Sequence, residues 1–72
     1  MAVILYSLCE CPYSQMLRAE LDARGLDYEE IDVARQRAVL PELLKLTGGR
    51  RIVPVLVEGR EVRVAPHGGT TF

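Results

Sequence analysis

Apolar residues fill a short block at the start of the chain and then change period. Ala2 to Leu8 is apolar and rich in β-formers, and Pro12 follows too soon for a helix to fit before it, so the block reads as a buried strand. From Tyr13 to Arg24 the apolar positions recur in steps of four, at Tyr13, Leu17 and Leu21 with Met16 beside them, while Arg18, Glu20, Asp22 and Arg24 turn to water. This predicts an amphipathic helix that starts at Pro12 and stops at Gly25. Leu26 to Val33 lies between that glycine and a turn at Asp32, and its Tyr28 and Ile31 suit a strand. It should run parallel to the first, because a helix joins them.

Ala34 to Thr47 carries Val39, Leu40, Leu43, Leu44 and Leu46 and runs into Gly48-Gly49, which predicts a second helix with a glycine stop. Pro41 leaves two forms open: an irregular start with a regular helix beginning near the proline, or a longer helix kinked there. The stretch "VPVLVEGREVRV" is two alternating apolar runs around Glu58-Gly59-Arg60, a tight hairpin signal. The order is strand, helix, strand, helix, strand, strand. The expected fold is α/β, β-α-β-α-β-β, two layers built on a four-stranded mixed sheet.

With 72 residues, about half of them apolar, the chain can build one small core and is read as a single domain, 1–72. A formal net charge of −1 with no basic stripe argues against nucleic acid as a ligand. No apolar run approaches the roughly 20 residues of a membrane span, and no signal-peptide pattern opens the chain, so a cytoplasmic protein without a membrane partner is expected. Two cysteines one residue apart do not make a secreted disulfide scaffold; reactive or ligating thiols in a reducing compartment fit them better.

The chemistry concentrates in "LYSLCECPYS". Cys11 directly precedes Pro12, which puts its sulfur at the N-cap of the first helix, where unpaired N–H groups and the helix dipole favour an anion. Such positions lower thiol pKa values to roughly 3.5–7.5 from about 8.5, leaving the sulfur nucleophilic at neutral pH. Glu10 opposes this, and Arg50 or Arg51 would support it if the fold brings them near. The competing reading makes Cys11 a small buried apolar residue at a helix start.

Cys11-Pro12-Tyr13-Ser14, preceded by "VILYS" and followed by "LRAELDARGLDYEEIDV", resembles the glutaredoxins, whose site reads Cys-Pro-Tyr-Cys or a serine-ended monothiol variant. "LTGGRRIVPVLVEG" resembles the family's Thr-Gly-x-Arg-Thr-Val-Pro segment and the strand after it. The resemblance spans roughly Val3 to Val64. The serine ending also resembles a short glutaredoxin-like group, UXX-star, in which selenocysteine can stand where Cys11 stands.

The resemblance implies a thioredoxin/glutaredoxin-like fold in which Cys11 attacks a glutathione mixed disulfide or a protein disulfide, with glutathione as co-substrate. Pro54 would be a cis-proline that leaves the backbone N–H and C=O of Val53 free to pair with an extended peptide in a short antiparallel ladder. A trans proline heading an edge strand is the plain alternative. Tyr13 would line the glutathione groove, or be only a half-buried helix aromatic. Arg50 and Arg51 would bind the glycine carboxylate, or be ordinary surface arginines.

Several positions depart from the family. Ser14 replaces the second cysteine, leaving a monothiol route or another resolving thiol. Leu8 stands where many members have lysine, and Ile52 replaces threonine. After Val64 comes only "APHGGTTF", so the C-terminal helix is expected to be short or absent, and with it the usual seat of the γ-glutamyl end of glutathione. Gly68-Gly69-Thr70 would offer substitute backbone donors or form a frayed tail, and the tail is the expected form. Without that helix one sheet face should show an exposed apolar strip, which a second copy of the chain would cover as a homodimer.

Cys9 has three readings: a buried strand-end residue, a resolving thiol closing a strained Cys9–Cys11 disulfide, or a metal ligand. Two thiolates and His67 fall one ligand short of a tetrahedral zinc site, so no resident metal is expected. A dimer would supply four sulfurs, which keeps a metal- or iron–sulfur-binding protein using Cys9 and Cys11 as the rival to an enzyme. His67 is expected to be an exposed tail residue, with an approach to Cys11 as base or ligand the alternative.

Overall fold

A computed structural model describes residues 2–72. The elements are β1 (Val3–Ser7), α1 (Pro12–Ala23), β2 (Glu29–Asp32), α2 (Leu40–Thr47), β3 (Ile52–Val53), β4 (Val55–Glu58), β5 (Glu61–Val64) and β6 (Thr70–Thr71). β2, β1, β4 and β5 form one mixed sheet in that order, and β3 pairs separately with β6. β1 and β2 run parallel with Tyr6 beside Ile31, while β4 runs antiparallel to β1 with Leu56 beside Leu5. The α/β architecture is the expected one, and α1 supplies the crossover that a parallel pair requires.

The sheet is buried on both faces by alternate residues of the same strands. Val3 and Leu5 of β1 and Leu56 of β4 pack with Leu17 and Leu21 of α1. Tyr6, Val33, Val53 and Val55 pack with Leu43 of α2 on the opposite face, in the cluster that also holds Cys11. Leu5, Leu21 and Leu43 are completely buried. Each such side chain contributes about 1.5–3 kcal/mol relative to an exposed one.

Local signals set the ends of the elements. Pro12 occupies the first turn of α1, where its missing N–H costs nothing. At the other end Gly25 takes φ +67°, its N–H bonds to the Asp22 carbonyl at 3.1 Å, and the Leu26 N–H reaches back to Leu21 at 3.2 Å. This is a Schellman stop, and Leu26 packs into the same cluster as Leu21, the apolar contact that accompanies it. Gly59, at φ +61°, takes the first position of the two-residue turn between β4 and β5, the II′ arrangement that matches strand twist.

Of the two forms left open by Pro41, the irregular start is the one found. Asp32 Oδ1 accepts the backbone N–H of Ala34 at 2.9 Å and of Arg35 at 3.3 Å, an Asx turn that holds the chain out of helix. A single 3₁₀ turn at Arg37–Val39 follows, and α2 begins at Leu40 with Pro41 in its first turn.

Two expectations about the last third are corrected. The residues after Val64 are not a frayed tail: Ala65, at φ +48°, turns the chain back, and β6 pairs antiparallel with β3, Thr70 facing Val53 and Thr71 facing Ile52. Nor is there an apolar strip on the α1 side beyond Leu56. The β5 residues beside Leu56 and Glu58 on that face are Arg63 and Glu61, both exposed, because strand alternation turns Val62 and Val64 to the other side. The reason given for a covering second copy is therefore missing on that face.

Candidate active site

Cys11 ends the turn that joins β1 to α1. Its N–H bonds to the Leu8 carbonyl at 3.0 Å, and its carbonyl accepts the Gln15 N–H at 3.2 Å, the first helical bond. As the N-cap residue it keeps extended dihedrals and uses no side-chain cap, so the sulfur sits among the free amides of the first turn. Ser14, fully buried in that turn, accepts the Leu8 N–H at 3.3 Å through its hydroxyl oxygen.

The sulfur has partners from both ends of the chain. Thr70 Oγ1 of β6 lies 3.1 Å from Cys11 Sγ, and the Val53 carbonyl oxygen lies at 4.0 Å. Burial pushes the Cys11 thiol up, yet hydrogen bonds from the Ser14 and Thr70 hydroxyls and from the Ser14 and Tyr13 backbone N–H groups outweigh it. The net shift is below the ordinary thiol value, toward the thiolate. Hydroxyls and amides lead this shift; Glu10, Arg50 and Arg51 are not among its leading causes. The side chain is 0 % exposed.

The other residues singled out in the sequence fall into two groups. Val53 and Pro54 are buried, the Val53 carbonyl faces the sulfur, and the peptide bond between the two is cis. Tyr13 is half exposed, its ring lying where a Cβ added at Gly68 would come within 2.8 Å. Arg50 and Arg51 are exposed in the loop before β3. The Arg50 N–H donates to Thr47 Oγ1 at 3.0 Å while the Thr47 hydroxyl donates to the Arg50 carbonyl, which pins that loop to the end of α2. The Arg51 guanidinium stands 5.0 Å from the Phe72 ring.

Cys9 is not a buried strand-end residue. It is exposed, because β1 has already ended at Ser7, and it faces a surface cavity of about 350 Å³ with Arg18, Glu30, Asp32, Arg35 and Gln36. No bond joins it to Cys11. His67 is exposed, as expected, and its Nε2 lies 2.7 Å from Glu20 Oε2 rather than at the sulfur. Among the described residues no cluster of three or more His, Cys, Asp or Glu is placed to hold a metal. The sequence pattern offers Thr70 only as a backbone donor and misses its hydroxyl at the sulfur and the place of Phe72; "TTF" consists of strand formers but is too short to show a period.

The glutaredoxin family model matches residues 3–62. The chain belongs to the glutaredoxin family. Glutaredoxin 1 of Rickettsia felis is 36% identical over 53 residues, 72% of this chain and 52% of that protein. Glutaredoxin 1 of Rickettsia prowazekii is 38% identical over 53 residues, covering 72% and 56%. The chain thus spans about half the length of these glutaredoxins. Its fold is similar to that of a glutaredoxin from Archaeoglobus fulgidus, with a TM-score of 0.80 and 26% identity, covering 99% of this chain and 78% of the other. It is also similar to the glutaredoxin-like NrdH-redoxin of Escherichia coli, with a TM-score of 0.70 and 26% identity, covering 89% and 82%. The family match stops before the Ala65–Phe72 segment that reaches the sulfur.

Proposed function

We propose that this glutaredoxin-family chain is a cytoplasmic thiol–disulfide oxidoreductase with Cys11 as its nucleophile. The observation that carries the reading is the set of donors around one sulfur: the Ser14 hydroxyl and the first amides of α1 favour its thiolate, and the Thr70 hydroxyl adds to them while β6 is docked. A thiolate is the form that attacks disulfides.

The exchange has two steps. The Cys11 thiolate attacks the glutathione sulfur of a glutathione mixed disulfide; the S–S bond breaks, and the departing thiolate leaves with the electron pair and takes a proton from water. The thiolate of a second glutathione then attacks the Cys11–glutathione bond, releasing glutathione disulfide and restoring Cys11. Ser14 in place of a second cysteine makes this monothiol route the direct one, and Cys9 is the alternative resolving thiol. In this reading Val53 and Pro54 hold the incoming disulfide, Tyr13 lines its groove, and the exposed Arg50 and Arg51 attract the glutathione carboxylate.

The test is reduction of a glutathione mixed disulfide by glutathione, followed for the parent chain, Cys11→Ser and Cys9→Ser. Turnover should vanish in the first variant and persist in the second. Unchanged turnover in Cys11→Ser contradicts the assignment of the nucleophile.

A further inference from the structure

Cys11 is fully buried, yet a nucleophile has to meet its substrate, and β6 sets a side chain directly against the sulfur. The N–H of Phe72 donates to the Arg51 carbonyl at 3.2 Å, with Ile52 facing Thr71 and Val53 facing Thr70. In an antiparallel ladder hydrogen-bonded and non-bonded pairs alternate, so this phase makes Val53 and Thr70 a bonded pair and engages both backbone groups of Val53. Those groups are the ones that an extended disulfide-bearing peptide needs. Thr70 also projects its hydroxyl to 3.1 Å from Cys11 Sγ, the place of a sulfur under attack.

We propose that β6 is a built-in substrate mimic: it occupies the strand position of a disulfide-bearing peptide, with Thr70 where that peptide's cysteine sits, and must leave before Cys11 reacts. The inference rests on Cys11 being the nucleophile and adds to it a gate. The substrate is an extended peptide, glutathione or a protein segment, running antiparallel to Val53.

The mimic is fitted closely but held by few contacts. Gly69 can only be glycine in the docked state, since an added Cβ would stand 2.7 Å from the Val53 carbonyl oxygen, and Gly68 lies against the Tyr13 ring. Beyond the two-residue ladder the fastenings are the Ala65 N–H on the Pro54 carbonyl at 2.8 Å, the Phe72 N–H on the Arg51 carbonyl, the His67–Glu20 contact at 2.7 Å and the Phe72 ring, which packs against the core under Arg51. A two-residue ladder with this handful of ties opens far more readily than the four-residue ladders of the main sheet do.

Two variants in a Cys9→Ser background test this. Thr70→Cys places a sulfur about where Oγ1 lies, so the gap to a disulfide bond of about 2.05 Å closes by a shift of roughly an ångström. Treated with glutathione disulfide, it should form an internal bond between Cys11 and the introduced thiol as one glutathione disulfide is reduced to two glutathione, read by mass spectrometry of the linked peptides. Cys11 carrying glutathione with no internal bond overturns the register. Gly69→Val should undock β6 and raise the high-pH plateau of Cys11 alkylation by iodoacetamide about tenfold or more; an unchanged plateau overturns the gate. The midpoint of the parent's pH profile reads the nucleophile separately: an ordinary midpoint with a raised plateau in the variant keeps the covering strand and removes the thiolate.

Discussion

The Ser14 hydroxyl oxygen accepts the Leu8 N–H at 3.3 Å, tying the first turn of α1 to the end of β1, and its proton is free for the Cys11 sulfur. One buried hydroxyl thus serves both the joint between two elements and the thiolate. Replacing it with alanine removes both services. In Ser14→Ala the Cys11 pKa should rise toward the ordinary thiol value, slowing alkylation at neutral pH severalfold. The half-buried Leu8 N–H, left without its partner, should cost about 1 kcal/mol in urea unfolding.

Glu30 gives the fold an acid-sensitive brace. The Arg18 guanidinium holds its carboxyl below the usual carboxylate range, burial works against this, and the Ser7 hydroxyl, donating at 2.8 Å, adds to it. A depressed carboxylate stabilises the fold fully above its unfolded pKa of about 4.3, and that stability fades as pH falls through the lower folded value. Because Arg18 and Glu30 are each about a third exposed, the effect should stay near 1 kcal/mol. The stability difference between the parent and Glu30→Gln, measured by urea unfolding, should shrink as pH falls from neutral into that range.

Leu21 is completely buried between α1 and the sheet, whereas Met16, on the same helix, is 52 % exposed. Leu21→Ala should therefore cost about 2–5 kcal/mol through lost burial and the cavity left behind. Met16→Ala should stay within about 0.5 kcal/mol. Chemical denaturation of both variants checks the contrast, and comparable losses would contradict the orientation of α1.

The elements whose residues repeat with a clear period were legible in the sequence: β1, α1 with its Gly25 stop, β2, and the hairpin around Gly59. Pro41 was ambiguous because proline is at home both in the first turn of a helix and at a kink; the Asx turn at Asp32 decided between them. β6 was not legible, since two residues carry no period and the chain returns through Ala65, a non-glycine residue with positive φ. The glutaredoxin-like motif pointed to the sulfur of Cys11 and its place at the helix start. The Thr70 hydroxyl beside that sulfur depends on the missed strand. The polar face of β5 was legible in the alternation of Glu61 and Arg63 with Val62 and Val64.

The most direct measurement is the ultraviolet absorbance of the Cys11 thiolate against pH, taken as the difference between the parent chain and Cys11→Ser, which needs no reagent to reach the buried sulfur. The donors around Sγ should bring the midpoint below the ordinary thiol value. A midpoint at or above that value would mean that burial outweighs the hydroxyls and amides, and that Cys11 is a packing residue.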